Sequence, residues 1–530
     1  MSRAAESSFV KQAAILAAAT LFARFIGFFY RVPLTFLIGD EGNALYSVGF
    51  QFYLFLLVLS SAGLPSAISK MVSERMACGR YRDAHGVFRA AMTVAVSFGF
   101  IGTMLLWTMA GHLAILFGYP GSVYAIRAVA PAVLIVAVMA AYRGYFQGLN
   151  NAIPTALSQV IEQIFNAVFK VLLAFIIIRH LEWGLEWAAA GAAAGTWIGA
   201  VLGLLTLLGI YKLVSPKIRT RVQRDKNRSF ESHKDLVKEL LLTAFPIILG
   251  WAIYSTAGFV DMAMISHRMA ASEVFTQTEI DILYGMFTGK FIVLTTMPVA
   301  VSTALSIAIL PSIAGSTAVC DLAAIARKVR QALRISFLIS IPAAVGIGVL
   351  AEPILLLLFP AHPDGALLLQ VGAVSIILLS VVQVATGALQ GIGKIMVPVI
   401  GAAAGVMVKI PLNYVLIADP AINVIGAVIS TIACYFVAAI VNLGVLKRST
   451  GVGIDWNNGF FKPLIAAALM GLACYAGYYV FMVISFGNNA VSTIASILIG
   501  LMVYFLMLLL IDGLKEEDVK RLPLLRRVVK

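Results

Sequence analysis

Long apolar windows separated by short polar stretches run the whole length of the amino-acid sequence. A helix needs roughly 20 apolar residues to cross a hydrocarbon core about 30 Å thick, and fourteen windows meet that length. They lie at 12–36, 44–68, 87–110, 124–147, 155–178, 188–210, 240–265, 282–312, 334–358, 367–389, 396–417, 423–446, 462–483 and 490–511. Because lipid offers the backbone no hydrogen-bonding partner, the pattern predicts an all-α polytopic membrane protein with about 14 transmembrane helices.

The basic residues between the windows are distributed unevenly. The loops on the side of the two chain ends hold 31 of the 39 lysines and arginines, whereas the alternate loops hold only three. Lysine and arginine collect on the cytoplasmic side of membrane proteins, so both termini are expected to be cytoplasmic. The composition agrees with a membrane protein, since 61% of the residues are hydrophobic and only 12% are charged.

A basic stretch near the middle divides the chain into parts that resemble each other. The predicted parts are an N-terminal lobe at 1–211, a basic cytoplasmic linker at 212–239, a C-terminal lobe at 240–447, and helices 13 and 14 with a basic tail at 448–530. "GYFQGLNNAIP" at 144–154 recurs as "GALQGIGKIMVP" at 387–398, and the segment from Leu45 matches the segment from Leu283 at a similar offset. Six helices per lobe keep the direction of insertion, so the lobes are predicted to be parallel repeats, as in alternating-access transporters.

Bases within four residues of a window end, such as Arg143, are counted with the loops. The apolar windows then hold five further basic residues, which are Arg24, Arg31, Lys170, Lys290 and Lys409. A charge near the bilayer centre costs roughly 2.5 to 3.5 kcal/mol on insertion scales, so such residues are expected to face a protein interior or a watery cavity. Arg24 lies near the midplane of the first window, and Arg31 follows seven residues later on nearly the same helix face. Two alternatives stay open, because long side chains can reach an interface or pair with an acid inside the protein.

The fifth window carries a polar stripe in which Glu162, Asn166 and Lys170 follow at a spacing of four. An internal pair between Lys170 and Glu162 is one way to accommodate the two charges. Against the five bases named above the windows hold three acids, Glu162, Asp261 and Glu352, and this surplus predicts a cationic cavity. Such a cavity binds an anion, and arginine offers the bidentate fork that suits phosphate or carboxylate.

Other kinds of site find no support in the sequence. All six histidines fall in loops or at window ends, and no P-loop, nucleotide-fold or G-x-S-x-G context is present. The cysteines Cys78, Cys320, Cys434 and Cys474 are scattered without a metal-ligand spacing. We therefore expect no metal site, no cofactor and no nucleic-acid partner.

Three segments resemble a known family. "RFIGFFYRVPLTFLIGDEGNALYSVGFQFYLFLLVLSSAGLPSAISKMVSE" at 24–74 closely resembles the opening of MurJ/SpoVB-type proteins of the MOP exporter superfamily. "YRGYFQGLNNAIPTALSQVIEQ" at 142–163 and "TALSIAILPSIA" at 303–314 are similar to internal landmarks of the same family. The likeness covers essentially the whole chain and is most specific in the first segment.

The resemblance implies fourteen helices in two lobes, and a flippase that moves undecaprenyl-pyrophosphate-linked cell-wall precursors. It implies lipid II as the cargo and alternating access as the mechanism. In this family arginines of helix one line a cationic cavity, which corresponds to Arg24 and Arg31, and a base in helix eight is similar in location to Lys290. A further arginine of the family, in helix two, has no counterpart here. The substrate-binding residues expected from charge and resemblance together are Arg24, Arg31, Glu162, Lys170, Lys290 and Lys409.

Some members of the family couple transport to sodium through polar groups on helices seven, eleven and twelve. The corresponding candidates are Asp261, Asn413 and Thr431, and the expected driving force is Na⁺ or the membrane potential. The expected partners are a lipid-linked pyrophosphate oligosaccharide, membrane lipids and the cell-wall synthesis machinery. The protein is expected to work as a monomer in the bacterial cell membrane, and the two last helices are expected to form a groove for the lipid tail.

Other functions are weighed beside the lipid II flippase. One is an exporter of another lipid-linked unit, such as a teichoic, capsular or spore-related precursor. A multidrug exporter of the related MATE type would favour an acidic site, and the basic surplus argues against it. A membrane enzyme would need a catalytic carboxylate or metal cluster, and Asp40 with Glu41 is only a loop dipeptide, while a scaffold leaves the midplane charges unexplained. We therefore expect a transporter and not an enzyme.

Overall fold

The computed structural model describes residues 18–19, 21–23, 25–59, 63–223, 225, 231–451, 453, 456–511 and 513. Every regular element within these ranges is helical, which confirms the predicted fold class. The helices are α1 (Leu21–Phe29), α2 (Arg31–Leu57), α3 (Leu64–Ala77), α4 (Tyr81–Leu116), α5 (Val123–Gly148), α6 (Ile153–Ile176), α7 (Leu185–Gln223), α8 (His233–Ala270), α9 (Gln277–Met286), α10 (Ile292–Ala318), α11 (Leu322–Val349), α12 (Ala351–Leu358), α13 (Ala366–Gly372), α14 (Val374–Gly391), α15 (Met396–Leu416), α16 (Ile425–Thr450), α17 (Lys462–Ile484) and α18 (Asn489–Leu510).

The described residues contain 11 helical segments that are long and apolar enough to cross a membrane. The count reaches 12 if α1 and α2, which meet at a bend of 47°, are taken as one span. The chain is therefore a multi-pass membrane protein, although the predicted count of fourteen spans is not confirmed.

The first two predicted windows differ from the structure because the polar residues between them are helical. α2 is broken only at Gly39, whose φ of 64° and ψ of −171° belong to a region that is essentially restricted to glycine. Asp40 and Asn43 follow the break and are buried. The expectation that Asp40 and Glu41 lie in a loop is therefore wrong, since both belong to the second part of α2.

The chain forms two compact units. Unit 1 contains Met1–Gly289 and Ile410–Ala427, and unit 2 contains Lys290–Lys409 and Val428–Lys530. Unit 1 thus includes the predicted N-terminal lobe and linker together with α8 and α9. The four-part division expected from the sequence stays a prediction.

Within unit 1, α6 and α7 pack closely because α7 presents a glycine at every fourth residue, namely Gly191, Gly195, Gly199 and Gly203. A Cβ atom at Gly195 would lie 2.5 Å from the backbone nitrogen of Lys170, and one at Gly199 would lie 2.7 Å from that of Asn166. Small residues let helices approach in a membrane, where the hydrophobic effect does not drive them together. This contact fixes the position of α6 and of its polar stripe.

The two segments that match in sequence also match in local structure. In unit 1, a Cβ at Gly148 of α5 would lie 2.6 Å from Cβ of Val72 in α3. In unit 2, a Cβ at Gly391 of α14 would lie 2.9 Å from Cβ of Ile313 in α10. Both glycine helices are followed by a residue with positive φ and then by the next helix, α6 or α15. The internal repeat is therefore visible in the packing of each unit.

The four cysteines divide into two buried and two exposed thiols. Cys78 and Cys320 are exposed, and they follow α3 and α10, the helices that receive the two glycine contacts. Cys434 and Cys474 are buried. None of the four forms a disulfide bond, and no group of three or more metal-ligating side chains lies together among the described residues.

Candidate functional site

A buried lysine, Lys170 of α6, is held by two tyrosine hydroxyls in unit 1. Its Nζ donates to the hydroxyl oxygen of Tyr46 at 2.7 Å and to that of Tyr30 at 3.4 Å, and the two hydroxyl oxygens lie 3.3 Å apart. The same Nζ lies 4.9 Å from the ring centroid of Phe50, within range of a cation–π interaction. Lys170 is 1% exposed, so its positive charge is enclosed by aromatic side chains.

Arg31, at the start of α2, brings a second positive charge to the same place. Its Cζ lies 4.9 Å from the ring centroid of Tyr46 and 5.7 Å from that of Tyr30. The side chain is buried, and its Nη1 meets no hydrogen-bond acceptor among the described residues. Within those residues, neither Arg31 nor Lys170 forms an ion pair with a carboxylate.

We call Tyr30, Arg31, Tyr46 and Lys170 the cation cluster. An ammonium group, a guanidinium group and two hydroxyls offer several hydrogen-bond donors to an anion, and the guanidinium fork suits phosphate in particular. Burying positive charge without a counter-charge costs free energy, most of all inside a membrane. An anionic ligand would offset that cost, so the cluster is suited to bind one.

An apolar groove of about 530 Å³ borders the cation cluster. Ile26, Phe29 and Pro33 line one side of the groove, and α6 lines the other side from Ala167 to Phe175. Tyr30 belongs both to the groove and to the cluster. A hydrocarbon surface next to buried positive charge suits an amphiphile with an apolar chain and an anionic head.

Glu162, about two turns before Lys170 on α6, pairs with a different base from the one considered in the sequence. Its carboxylate oxygen accepts a hydrogen bond from Arg143 Nη2 at 2.7 Å, and Arg143 Nε also donates to Ser158 at 3.1 Å. The alternative of a Lys170–Glu162 pair is therefore wrong. Arg143 lies in α5 and pairs with Glu162, whereas Lys170 contacts the two tyrosines.

The remaining predicted bases lie in different surroundings. Lys290 is buried in unit 2, in a π-helical turn at Phe287–Phe291, and its Nζ donates to the backbone oxygens of His362 at 2.8 Å and Asp364 at 3.0 Å. Lys409, also buried in unit 2, donates to Thr431 Oγ1 at 2.8 Å. Arg24 lies outside the described residues. The substrate-binding roles of these three residues stay predictions.

Two of the three predicted sodium ligands lie together in unit 1. Asn413 Nδ2 donates to Asp261 Oδ1 at 3.0 Å, and both side chains are buried. A carboxylate beside an amide supplies the oxygen atoms that hard cations prefer, so this pair fits a small cation. Thr431 belongs to unit 2 and accepts from Lys409, so an ion at its hydroxyl would compete with an ammonium group.

The sequence did not single out the tyrosines of the cation cluster. Tyr30 and Tyr46 stand in apolar windows, where aromatic residues are ordinary packing residues, and only the fold brings them to Lys170. One signal was present in the repeat, because Tyr46 and Tyr284 occupy the same place in the matched segments that begin at Leu45 and Leu283. A hydroxyl that recurs at one position of an apolar helix indicates a polar contact at that position.

Comparison with known proteins identifies relatives over most of the chain. Residues 9–316 match the family model described as polysaccharide biosynthesis protein. The chain is 27% identical to the lipid II flippase MurJ of Bacillus subtilis strain 168 over 475 residues, which cover 87% of this chain and 86% of that protein. It is 25% identical to the stage V sporulation protein B of the same organism over 528 residues, which cover 99% of each chain.

Solved structures show the same fold. A structure of lipid II flippase MurJ in an inward closed conformation superposes with a TM-score of 0.67 at 17% identity, covering 93% of this chain and 98% of that chain. An inward-facing multidrug resistance MATE family transporter of the MOP superfamily gives a TM-score of 0.65 at 16% identity, covering 83% and 98%. The likeness confirms the fold predicted from the sequence.

Proposed function

The chain belongs to the polysaccharide biosynthesis protein family, and on that premise we propose that it is a flippase for a lipid-linked, pyrophosphate-bearing oligosaccharide precursor. Lipid II is the first cargo proposed, in line with the similarity to a lipid II flippase over most of the chain. The direction proposed is from the inner to the outer leaflet of the bacterial membrane, by alternating access, with both termini in the cytoplasm.

The cation cluster carries this proposal. A pyrophosphate must leave water to cross the membrane, and buried donors replace part of the hydration that it loses. Arg31 and Lys170 supply two positive charges that no carboxylate of the described residues neutralises. The neighbouring apolar groove is suited to the first part of a prenyl chain. A multidrug exporter of cationic compounds shares the fold, but a positively charged cluster would repel its substrates.

The nature of the sugar and the energy source belong to the proposal as well. The similarity to a sporulation protein at 25% identity supports a spore-related, teichoic or capsular unit as the alternative cargo. We propose Asp261 and Asn413 as the residues that would hold a sodium ion, with the membrane potential as the other driving force. Membrane lipids and the cell-wall synthesis machinery are the proposed partners of a monomeric protein.

The test is replacement of Lys170 by methionine, which keeps the apolar stem and removes the charge. In a strain that depends on this protein as its only lipid II flippase, Lys170→Met is expected to lower the flipping rate about tenfold or more, the value of one or two charge-assisted hydrogen bonds. Lys212→Met, at an exposed position of α7, is the matched control and should support growth as the parent does.

The readout is the undecaprenyl-linked intermediate that accumulates on the inner leaflet, identified by mass spectrometry at equal membrane abundance of each variant. Accumulation of lipid II in the Lys170→Met strain supports lipid II as the cargo. Accumulation of a different lipid-linked sugar would identify that sugar as the cargo instead. Parental flipping by Lys170→Met would show that the cation cluster does not carry the anion.

A further inference from the structure

A second, larger groove lies in unit 1 away from the cation cluster. Its volume is about 1100 Å³, and it runs between α4 and α7, with α5 behind it and the start of α8 at one end. The groove lining on α4 extends from Arg82 to Ser97, which corresponds to about 22 Å of helix. A groove of this length accommodates a lipid headgroup and much of an acyl chain.

The groove is polar at one end and apolar at the other. Arg82, His85 and Arg89 of α4 line the polar end, which lies on the side predicted to be cytoplasmic. Val96 of α4 and Leu208 of α7 line the apolar end and are 44% and 38% exposed. A ligand with an anionic head and a hydrocarbon chain matches this gradient.

The acids at the polar end are already neutralised by other arginines. Asp83 pairs with Arg80 at 2.8 Å, and Glu231 pairs with both Arg75 and Arg80. These two acids are the carboxylates that line the groove. The bases of α4 that line the groove are therefore not needed to neutralise Asp83 and Glu231.

Two arginines at the polar end have no anionic partner in the described part of the chain. Arg89 of α4 lines the groove, whereas Arg219 of α7 lies eight residues beyond Tyr211, just outside the groove lining. Both arginines are exposed, and neither makes a side-chain hydrogen bond or an ion pair among the described residues. Both lie close enough to Tyr211 and His85 to act on them electrostatically. Two guanidinium groups on neighbouring helices, both near the same tyrosine and histidine, offer several hydrogen-bond donors to a phosphate group.

We propose that this groove binds an anionic glycerophospholipid of the bilayer, with its phosphate between Arg89 and Arg219 and one acyl chain along Val96 and Leu208. Basic pockets between transmembrane helices on the cytoplasmic side recognise anionic lipid headgroups in this way. The lipid would seal the gap between α4 and α7 and stabilise unit 1. The site is separate from the proposed transport site, so its test does not depend on the flipping reaction.

The experiment titrates phosphatidylglycerol into the purified full-length protein in detergent and follows the tightest binding event by native mass spectrometry. Arg89→Gln and Arg219→Gln are each expected to weaken phosphatidylglycerol binding about fivefold, and the double variant about twentyfold. These factors correspond to the usual contribution of one basic residue to the binding of an anionic lipid. Lys217→Gln removes an exposed charge two residues before Arg219, at a base that is not among those acting on Tyr211 and His85, and it should bind as the parent does.

A second pair of variants tests the apolar end without changing charge. Leu208→Trp fills the groove and is expected to weaken phosphatidylglycerol binding at least as much as a single arginine variant. Leu205→Trp, 55% exposed on the same helix and outside the groove lining, is its control. All substituted positions are exposed or partly exposed, and a melting temperature within a degree or two of the parent verifies that each variant is folded.

Four results would overturn the proposal. They are unchanged phosphatidylglycerol binding in the double arginine variant, equally tight binding of phosphatidylcholine, and displacement of phosphatidylglycerol by inorganic phosphate alone. The fourth is displacement by farnesyl pyrophosphate at a lower concentration than phosphatidylglycerol itself requires, which would assign the groove to the prenyl cargo.

Discussion

The ion pair between Arg143 and Glu162 is mostly buried, with side-chain exposures of 16% and 10%. Removing one partner leaves an uncompensated charge, whereas removing both leaves no unpaired charge. We expect Arg143→Met or Glu162→Met alone to destabilise the protein by about 3 kcal/mol, and the double variant to recover most of that loss. Thermal unfolding of the four proteins in one detergent measures the coupling, and additive losses would contradict it.

The charges of the candidate site could be predicted from the sequence, but their partners could not. A base inside an apolar window is conspicuous because placing a charge in a membrane costs free energy, and Arg31 and Lys170 are recognised in the sequence for this reason. Their partners depend on which helices meet, and the choice of Arg143 over Lys170 by Glu162 is set by contacts between α5 and α6. The tyrosines carry no charge, so apart from the repeat of Tyr46 at Tyr284 nothing in the sequence indicates that they contact Lys170.

Among the helices, the glycine contacts of the repeat give a direct test of packing. A methyl group at Gly148 would press on Val72, and one at Gly391 would press on Ile313, at separations that real Cβ atoms do not adopt. We expect Gly148→Ala and Gly391→Ala each to lower stability by about 1 to 3 kcal/mol. Gly111→Ala, in α4 with open space around it, should be neutral or stabilising by up to about 1 kcal/mol.

Thermal unfolding and the fraction of monodisperse protein after extraction measure these effects. If Gly148→Ala and Gly111→Ala behave alike, the close approach of α5 to α3 is not needed for stability.

At the scale of helices the sequence predicted element types well, because a long apolar window in a membrane protein is almost always a helix. It failed at 37–43, where a polar stretch that resembles a loop remains helical on both sides of Gly39.

The start of α8 is tied to the turn between α3 and α4 by a charge network whose strength depends on pH. Glu231 accepts hydrogen bonds from Arg75 and Arg80, and Arg75 also pairs with Glu239 at 2.7 Å. Burial raises the pKa of Glu231, but the hydrogen bonds and charges of the two arginines outweigh this and hold its pKa below the usual value. The carboxylate is therefore more stable in the folded protein than in the unfolded chain.

A lowered pKa in the folded state stabilises the protein above the ordinary glutamate pKa of about 4.3, and this contribution is lost as the pH falls through the folded value. We expect Glu231→Gln to melt at a lower temperature than the parent at pH 7, with the difference shrinking as the pH approaches about 3. A difference that stays constant from pH 7 to pH 3 would show that Glu231 is not held ionised by this network.

For the whole molecule, the uneven distribution of basic residues predicts the side of the membrane on which each loop lies. Leu213, 79% exposed in α7, is predicted to be cytoplasmic, and Val274, 61% exposed between α8 and α9, is predicted to lie outside. With Cys78 and Cys320 replaced by serine, a membrane-impermeant maleimide should label Val274→Cys but not Leu213→Cys in intact cells. Labelling of Leu213→Cys from outside would reverse the proposed orientation.

The two exposed thiols allow a distance between the two units to be measured in the unaltered chain. Cys78 belongs to unit 1 and Cys320 to unit 2, and each follows the helix that receives a repeat glycine. Cys434 and Cys474 are buried, so a nitroxide reagent should react selectively at the exposed pair. Pulsed electron spin resonance then yields the distribution of distances between one point on each unit. A transporter that alternates between two arrangements of its units would shift that distribution when substrate is added, without a single engineered cysteine.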